Sequence, residues 1–212
     1  DPGASTRRFK RQVDMVSLGR GLSGSFYKHI IFDMYDIIGD IHGHAGELES
    51  LLEEKLGYTR EQGFYSHPER KAVFLGDFID RGPRIQEVLE IVRRMTDAGS
   101  AFAVMGNHEF NALAYHTKDP NNSKKYLRPH DIEKNRNQHK ATIVQLGNSI
   151  DEYIEWFRSL PMWLELDDGN GNRLRVIHAC WDDDQIQIIR DAMEKFGGVA
   201  TGFLAEASKE ST

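Results

Sequence analysis

Asp40 and His42 lie two residues apart in the motif GDIHG, Asp77 opens GDFIDRG, Asn107 sits in GNHE, and His178 in IHACWD. In an extended loop, Asp40 and His42 can turn toward one point. Asp77 offers a carboxylate able to bridge two cations, Asn107 a neutral amide oxygen and His178 an imidazole nitrogen. Mixed oxygen and nitrogen donors, with no usable thiolate set, suit Mn best, with Fe or Zn as alternatives. Two such ions a few ångströms apart clamp a phosphoryl oxygen, lower the pKa of a bridging water and stabilise an in-line displacement. A lone Asp or His more often serves as a cap, a turn or a satisfied core group; the joint pattern is what points to a metal site.

These residues need a scaffold that brings them to one place. Apolar runs over residues 35–38, 71–75 and 101–105 precede the first three motifs, and a fourth over 174–177 precedes His178. In an open α/β sheet, ligands gather beyond the carboxyl ends of strands. Leu48, Leu51, Leu52 and Leu56 repeat at helical spacing, as do Ile85, Val88, Leu89, Val92 and Met95, which gives a β-α-β-α-β series closed by Gly99. Ile150, Tyr153, Ile154, Phe157 and Leu160 mark a further amphipathic helix ended by Pro161. Runs over 163–166 and 174–177 flank DDGNGN, strong turn chemistry for a hairpin that delivers His178.

The motifs GDIHGHA, GDFIDRGP, GNHEFNALAYHT and IHACWD make the chain resemble the calcineurin-type metallophosphoesterases, in the branch of protein Ser/Thr phosphatases and symmetrical diadenosine tetraphosphatases, and more narrowly its bacterial members. The match covers residues 34–212. The resemblance implies an α/β fold, a β-sandwich flanked by helices. It also implies two divalent metal ions, the first held by Asp40, His42 and Asp77 and the second by Asp77, Asn107 and His178. His108 is implied as the general acid, oriented by Asp80, and Arg81 as the grip on the phosphate, which Asn107 and His108 also contact. A carboxylate partner keeps such a histidine protonated, and the arginine fork matches phosphate oxygens.

Two departures from the family stand out. The family pattern ends in a late Gly-His motif whose histidine completes the second metal site, yet no histidine follows His178. The expectation is therefore a chain shortened at its C-terminus, with an incomplete second sheet and a final helix, FLAEASKEST, cut short. At the other end, residues 1–33 hold six Lys or Arg against three Asp, are rich in Ser and Gly, and match nothing in the family. They read as a disordered or non-native extension ahead of Met34, with the metallophosphoesterase domain over 34–212.

Composition is that of an ordinary globular enzyme: 39% hydrophobic and 28% charged residues. The net charge of −6 argues against general nucleic-acid binding, and no run is long enough to cross a bilayer. The single Cys180 rules out an intramolecular disulfide and favours a cytoplasmic location. No obligate protein partner is expected. The stretch 115–140 holds Tyr126, Arg128, His130, Lys134, Arg136, His139 and Lys140. It reads either as a substrate-facing insertion or as a solvated helix face. His44 and Glu109 are expected to be structural, and Cys180 and Trp181 to pack around His178. The function implied is hydrolysis of phosphomonoesters, phosphoproteins or dinucleoside polyphosphates by a metal-activated hydroxide. The alternative is a catalytically deficient fragment with partial metal binding.

Overall fold

In the computed structural model, residues 6–8, 34–167 and 173–209 are described. The chain forms β1 (Thr6–Arg8), β2 (Met34–Ile38), α1 (Ala45–Ser50) continued by a π-helical turn over Leu51–Lys55, the hairpin β3 (Thr59–Glu61) and β4 (Phe64–Ser66), β5 (Arg70–Phe74), α2 (Ile85–Asp97) and β6 (Ala101–Ala103). Next come α3 (Asn107–His116), the ribbon β7 (Lys118–Asp119) and β8 (Asn122–Tyr126), α4 (Glu133–Leu146), a 3₁₀ turn over Gly147–Ser149 and α5 (Ile150–Ser159). The hairpin β9 (Trp163–Asp167) and β10 (Arg173–Ile177) and the helices α6 (Asp183–Phe196) and α7 (Thr201–Ala207) follow.

The site rests on a sheet of order β1-β2-β5-β6, in which β2, β5 and β6 are parallel and β1 runs antiparallel to β2. Strand side chains alternate between faces. Ala72 and Phe74 point into the main core beneath the helices, while Val73 between them packs with Val104 and Val176 under the β9–β10 hairpin. All three β5 residues are fully buried, so the strand reads as an unbroken apolar run. On α2, Ile85, Val88, Leu89, Val92 and Met95 form a stripe that is 0% exposed, the outcome of their 3- and 4-residue spacing.

The β-α-β-α-β series, α5 and the hairpin appear where the sequence places them. Thr6–Arg8 pair with β2, so these three residues of the 1–33 segment are a strand and not structureless. The rest of that segment, the hairpin turn over 168–172 and residues 210–212 lie outside the described residues. Among the described residues the second sheet layer is two-stranded. The 115–140 stretch becomes a short ribbon followed by the first half of α4. Cys180 is exposed and does not pack around His178; Trp181 instead donates to Asp183 Oδ1 at 2.8 Å with the Arg175 guanidinium 4.7 Å from its ring centre.

Candidate metal centre

Asp40 follows β2, Asp77 follows β5 and Asn107 follows β6, all at the carboxyl edge of the parallel strands. The first two loops are laced through main-chain bonds: the Ile41 and His42 N–H groups donate to the Asp77 carbonyl at 3.1 and 2.9 Å, and Gly82 N–H donates to the His42 carbonyl at 2.8 Å. His42, Asp77, Asp80 and Arg81 have φ of +47°, +56°, +65° and +68°. Four non-glycine residues in the left-handed region, all in one site, are backbone strain that the surrounding hydrogen bonds must hold. Glycine is required where the loops touch: a Cβ on Gly106 would run into the main chain and carboxylate of Asp77.

One carboxylate oxygen lies at the centre. Asp77 Oδ2 stands 3.7 Å from His42 Nε2, 3.6 Å from His178 Nε2 and 3.9 Å from His108 Nε2. The other oxygen, Oδ1, is occupied by the backbone N–H of His108 at 3.0 Å. His42 Nε2 is also 3.8 Å from Asp40 Oδ2, while Asp40, Asp77 and His178 form a second cluster of donor atoms on the same carboxylate.

The tautomers follow from the second ring nitrogens. His42 Nδ1 donates to the Ile79 carbonyl at 2.8 Å, and His178 Nδ1 donates to the Leu75 carbonyl at 2.8 Å. A neutral ring so held presents a bare Nε2 lone pair, the arrangement of a metal-ligating histidine. His42 Nε2 is buried and has no hydrogen-bond partner. His178 Nε2 faces Asn107 Oδ1 at 2.9 Å, acceptor against acceptor. Burial holds the His42 pKa below its ordinary value despite the Ile79 bond, so a proton does not fill the gap. Lone pairs converging without a donor are a fit for divalent cations.

His108 begins α3 and is turned differently. Its Nδ1 donates to Asp80 Oδ2 at 2.6 Å, so the proton sits on the side away from Asp77. Burial opposes the charge on this ring, but the Asp80 bond and the charges of Asp77, Asp80 and Glu109 outweigh it and raise its pKa. Burial likewise disfavours the Asp80 carboxylate, yet the donors His108, His139 and Thr142 hold its pKa well below the usual range. Beneath the site, fully buried Glu109 accepts the backbone N–H groups of Asp77, Phe78 and Gly106 at 2.8, 2.8 and 3.0 Å. Its burial and the Asp77 charge push its pKa up to about 7 against those three donors.

With this geometry the comparisons agree. The pattern of calcineurin-like phosphoesterases matches residues 35–191. The chain belongs to the calcineurin-like phosphoesterase family. Relatives of the chain include the asymmetrical bis(5'-nucleosyl)-tetraphosphatase PrpE of Oceanobacillus iheyensis, 36% identical over 133 residues that cover 62% of this chain and 51% of that protein. The PrpE of a Geobacillus species is 32% identical over 146 residues, 68% of this chain and 56% of its own. The chain thus spans about half the length of these curated relatives. Among solved structures, a Saccharomyces cerevisiae serine/threonine phosphatase aligns at 23% identity and a TM-score of 0.40, covering 61% of this chain and 33% of that one.

The chain opens beside His108 into a cleft of about 960 Å³, lined by Asp80, Arg81, Asn107 and His108 and by Arg128, Lys134, Gln138 and Lys140. Arg81 is exposed at its mouth. The half-buried Arg128 is held by neutral amides, donating to Asn111 Oδ1 at 2.7 Å and Gln138 Oε1 at 2.8 Å. None of these four cations is ion-paired among the described residues. Of the residues expected from the sequence, Asp40, His42, Asp77, Asn107 and His178 lie around the Asp77 carboxylate, and Asp80, Arg81 and His108 line the adjoining cleft. Arg128, Lys134, His139 and Lys140 belong to the 115–140 stretch, for which a substrate-facing insertion was one of the two alternatives. Gln138 and Thr142 were not singled out: Gln138 lies among the polar and charged residues of that stretch, and Thr142 lies beyond it.

Proposed function

We propose that the chain is a metal-dependent phosphoesterase, with Asp40, His42 and Asp77 holding one divalent ion and Asp77, Asn107 and His178 a second. The observation that carries this reading is the single oxygen Asp77 Oδ2 facing three imidazole Nε2 atoms, two of them with bare lone pairs. Such ions, Mn first among the candidates, would supply a hydroxide nucleophile at neutral pH and neutralise phosphoryl charge. The chain's own residues supply the rest. Arg81 offers its planar fork to phosphate oxygens. The N-terminus of α3 directs its dipole at the same anion. His108, protonated and turned by Asp80, hands a proton to the leaving oxygen.

The unpaired Arg128, Lys134 and Lys140 support a substrate with negative charge beyond the scissile phosphate. Dinucleoside polyphosphates fit this better than simple phosphomonoesters, in keeping with the names of the relatives. Residues 34–212 are read as the catalytic unit, and 1–33 as an extension. Among the described residues no helix is long and apolar enough to cross a membrane, and a cytoplasmic location is proposed from the lone cysteine.

The test loads the chain with Mn²⁺, dialyses it, counts metal per chain by elemental analysis and follows hydrolysis of p-nitrophenyl phosphate. Two ions per chain and turnover that is abolished by Asp77→Asn are expected. Turnover indifferent to chelation or to Asp77→Asn would remove the reading. One ion without turnover would favour the second reading, a chain that binds metal in part but does no efficient chemistry.

A further inference from the structure

Asp80 has more side-chain partners than its role of orienting one histidine requires. Oδ2 takes His108, while Oδ1 accepts the Thr142 hydroxyl at 2.6 Å and His139 Nδ1 at 3.1 Å. The backbone N–H of Asp80 in turn donates to Thr142 Oγ1 at 3.0 Å. His139 is only 4% exposed, and its other nitrogen, Nε2, lies 3.1 Å from His116 Nε2. His116 is the last residue of α3, the helix that begins beside His108, whereas His139 and Thr142 come from α4.

A carboxylate only accepts, so His139 Nδ1 and His108 Nδ1 both carry protons and donate to Asp80 from opposite sides. Between His139 Nε2 and His116 Nε2 lies one proton, which either ring can carry. Burial first, then the neighbouring His139, lower the His116 pKa to about 4, so His116 is a neutral ring. The remaining faces of His139 meet the Tyr115 ring, with centres 5.1 Å apart.

A carboxylate bonded only to His108 could rotate and present either oxygen. With Oδ1 held by two donors on α4, Oδ2 is left to His108. That fixes the His108 ring with Nδ1–H toward Asp80 and Nε2 toward the cleft and the metal loops. The polar and ring partners of His139 among the described residues are Asp80, His116 and Tyr115, none of them a proposed metal ligand.

We propose that His139 is a positioning residue for the general acid: through Asp80 it fixes the orientation of His108, and the contact with His116 holds the far edge of the His139 ring. This rests on the general-acid reading given under Proposed function.

The test compares His139→Leu, His139→Asn and His139→Gln. Asparagine places an N–H near the position of Nδ1, facing Asp80, and glutamine places one near Nε2, facing away. Turnover of p-nitrophenyl phosphate, with its good leaving group, is set against that of an alkyl phosphate, whose alkoxide must be protonated. His139→Leu and His139→Gln are expected to lose about tenfold to a hundredfold in kcat on the alkyl ester, with little change in KM and a much smaller loss on the aryl ester. His139→Asn is expected to recover most of the alkyl-ester rate. Equal losses on both esters, or Asn and Gln variants that behave alike, would overturn the proposal. Imidazole ¹⁵N spectra of the same proteins supply a readout free of turnover: the His108 Nδ1–H signal seen in the native chain should persist in His139→Asn and be lost or shifted in His139→Gln. His108 signals identical in all of them would also overturn it. A native chain that hydrolyses neither ester removes the proposed function itself, and the ring spectra still decide whether His139 orients the Asp80–His108 pair.

Discussion

Glu109 and Asp77 clasp each other through their main chains: the Glu109 carboxylate accepts the Asp77 N–H at 2.8 Å, while the N–H of the residue before Glu109 donates to Asp77 Oδ1 at 3.0 Å. The loop after β5 is thereby tied to the first turn of α3, and Oδ2 of Asp77 is left as the oxygen facing the histidines. A charged side chain that is fully buried serves here as an acceptor for three amide donors.

Replacing Glu109 by Gln would turn an NH₂ group toward some of those donors and leave at least one buried N–H unsatisfied. Each such group costs about 1–3 kcal/mol. Urea unfolding of metal-free Glu109→Gln should show a loss of that order, and metal stoichiometry should fall with it, because Asp77 is no longer held. Unchanged stability with full metal content would contradict the clasp.

The His108 ring comes no nearer than 3.9 Å to the Asp77 carboxylate, and its Nδ1–H is engaged in a hydrogen bond to Asp80, so the ring is free to act as an acid and is not counted among the metal ligands. His108→Asn should keep the native metal count while lowering kcat about a hundredfold or more on alkyl phosphates, and less on aryl phosphates. Elemental analysis beside rates on the two esters checks this. A metal count that drops would reassign His108 as a ligand.

Arg128 stands in the cleft held by neutral amides, and among the described residues no carboxylate forms an ion pair with it. Arg128→Gln should raise KM for a dinucleoside polyphosphate about tenfold, the scale of one charge-assisted contact, with a smaller rise for p-nitrophenyl phosphate. The native preference should also weaken as salt is added. Steady-state kinetics at two ionic strengths would expose an identical rise for both substrates, which would deny Arg128 a part in binding the extra phosphates.

His116 should make stability pH-dependent. Burial lowers its pKa from 6.5 to about 4, so between those values the unfolded chain takes up a proton that the folded chain refuses. Its contribution to stability is complete above pH 6.5, falls as the pH is lowered toward 4, and is flat below. Because the ring is only partly enclosed, the effect is on the order of 1 kcal/mol. Denaturant titrations at pH 7 and 4.5 should show His116→Gln losing less stability than the native protein over this interval. A larger loss in the variant would reverse the assignment.

The parallel strands were legible as short apolar runs ahead of the motifs, and α2 and α5 because each buries apolar residues at a spacing of 3 to 4. Helix α4 was not, for a definite reason. The residues it buries are Asn135, His139, Thr142 and Leu146. Their spacing is helical, but three of the four are polar, so a search for apolar periodicity sees only a charged, solvated helix. Its exposed side carries Val144, an apolar residue 71% accessible at the cleft wall. Hydrophobicity thus points the wrong way at the one helix whose buried face is a hydrogen-bonding surface. The hairpin β3–β4 was also unread, since its three-residue strands are too short for a period to show.

By itself the sequence determined which chemical groups are available and the order in which strand ends present them: Asp40, Asp77, Asn107 and His178 are ligand types after apolar runs, and that much is local. Only the tertiary structure decided which lone pairs are bare and which protons are fixed. The carbonyls of Ile79 and Leu75 set the tautomers of His42 and His178, Glu109 orients Asp77, and His139 with Thr142 binds Asp80. Each of these bonds joins residues 32 to 103 positions apart. Hydrogen bonds act over about 3 Å and depend on direction, so they are settled only when the packed elements bring distant main-chain and side-chain groups together.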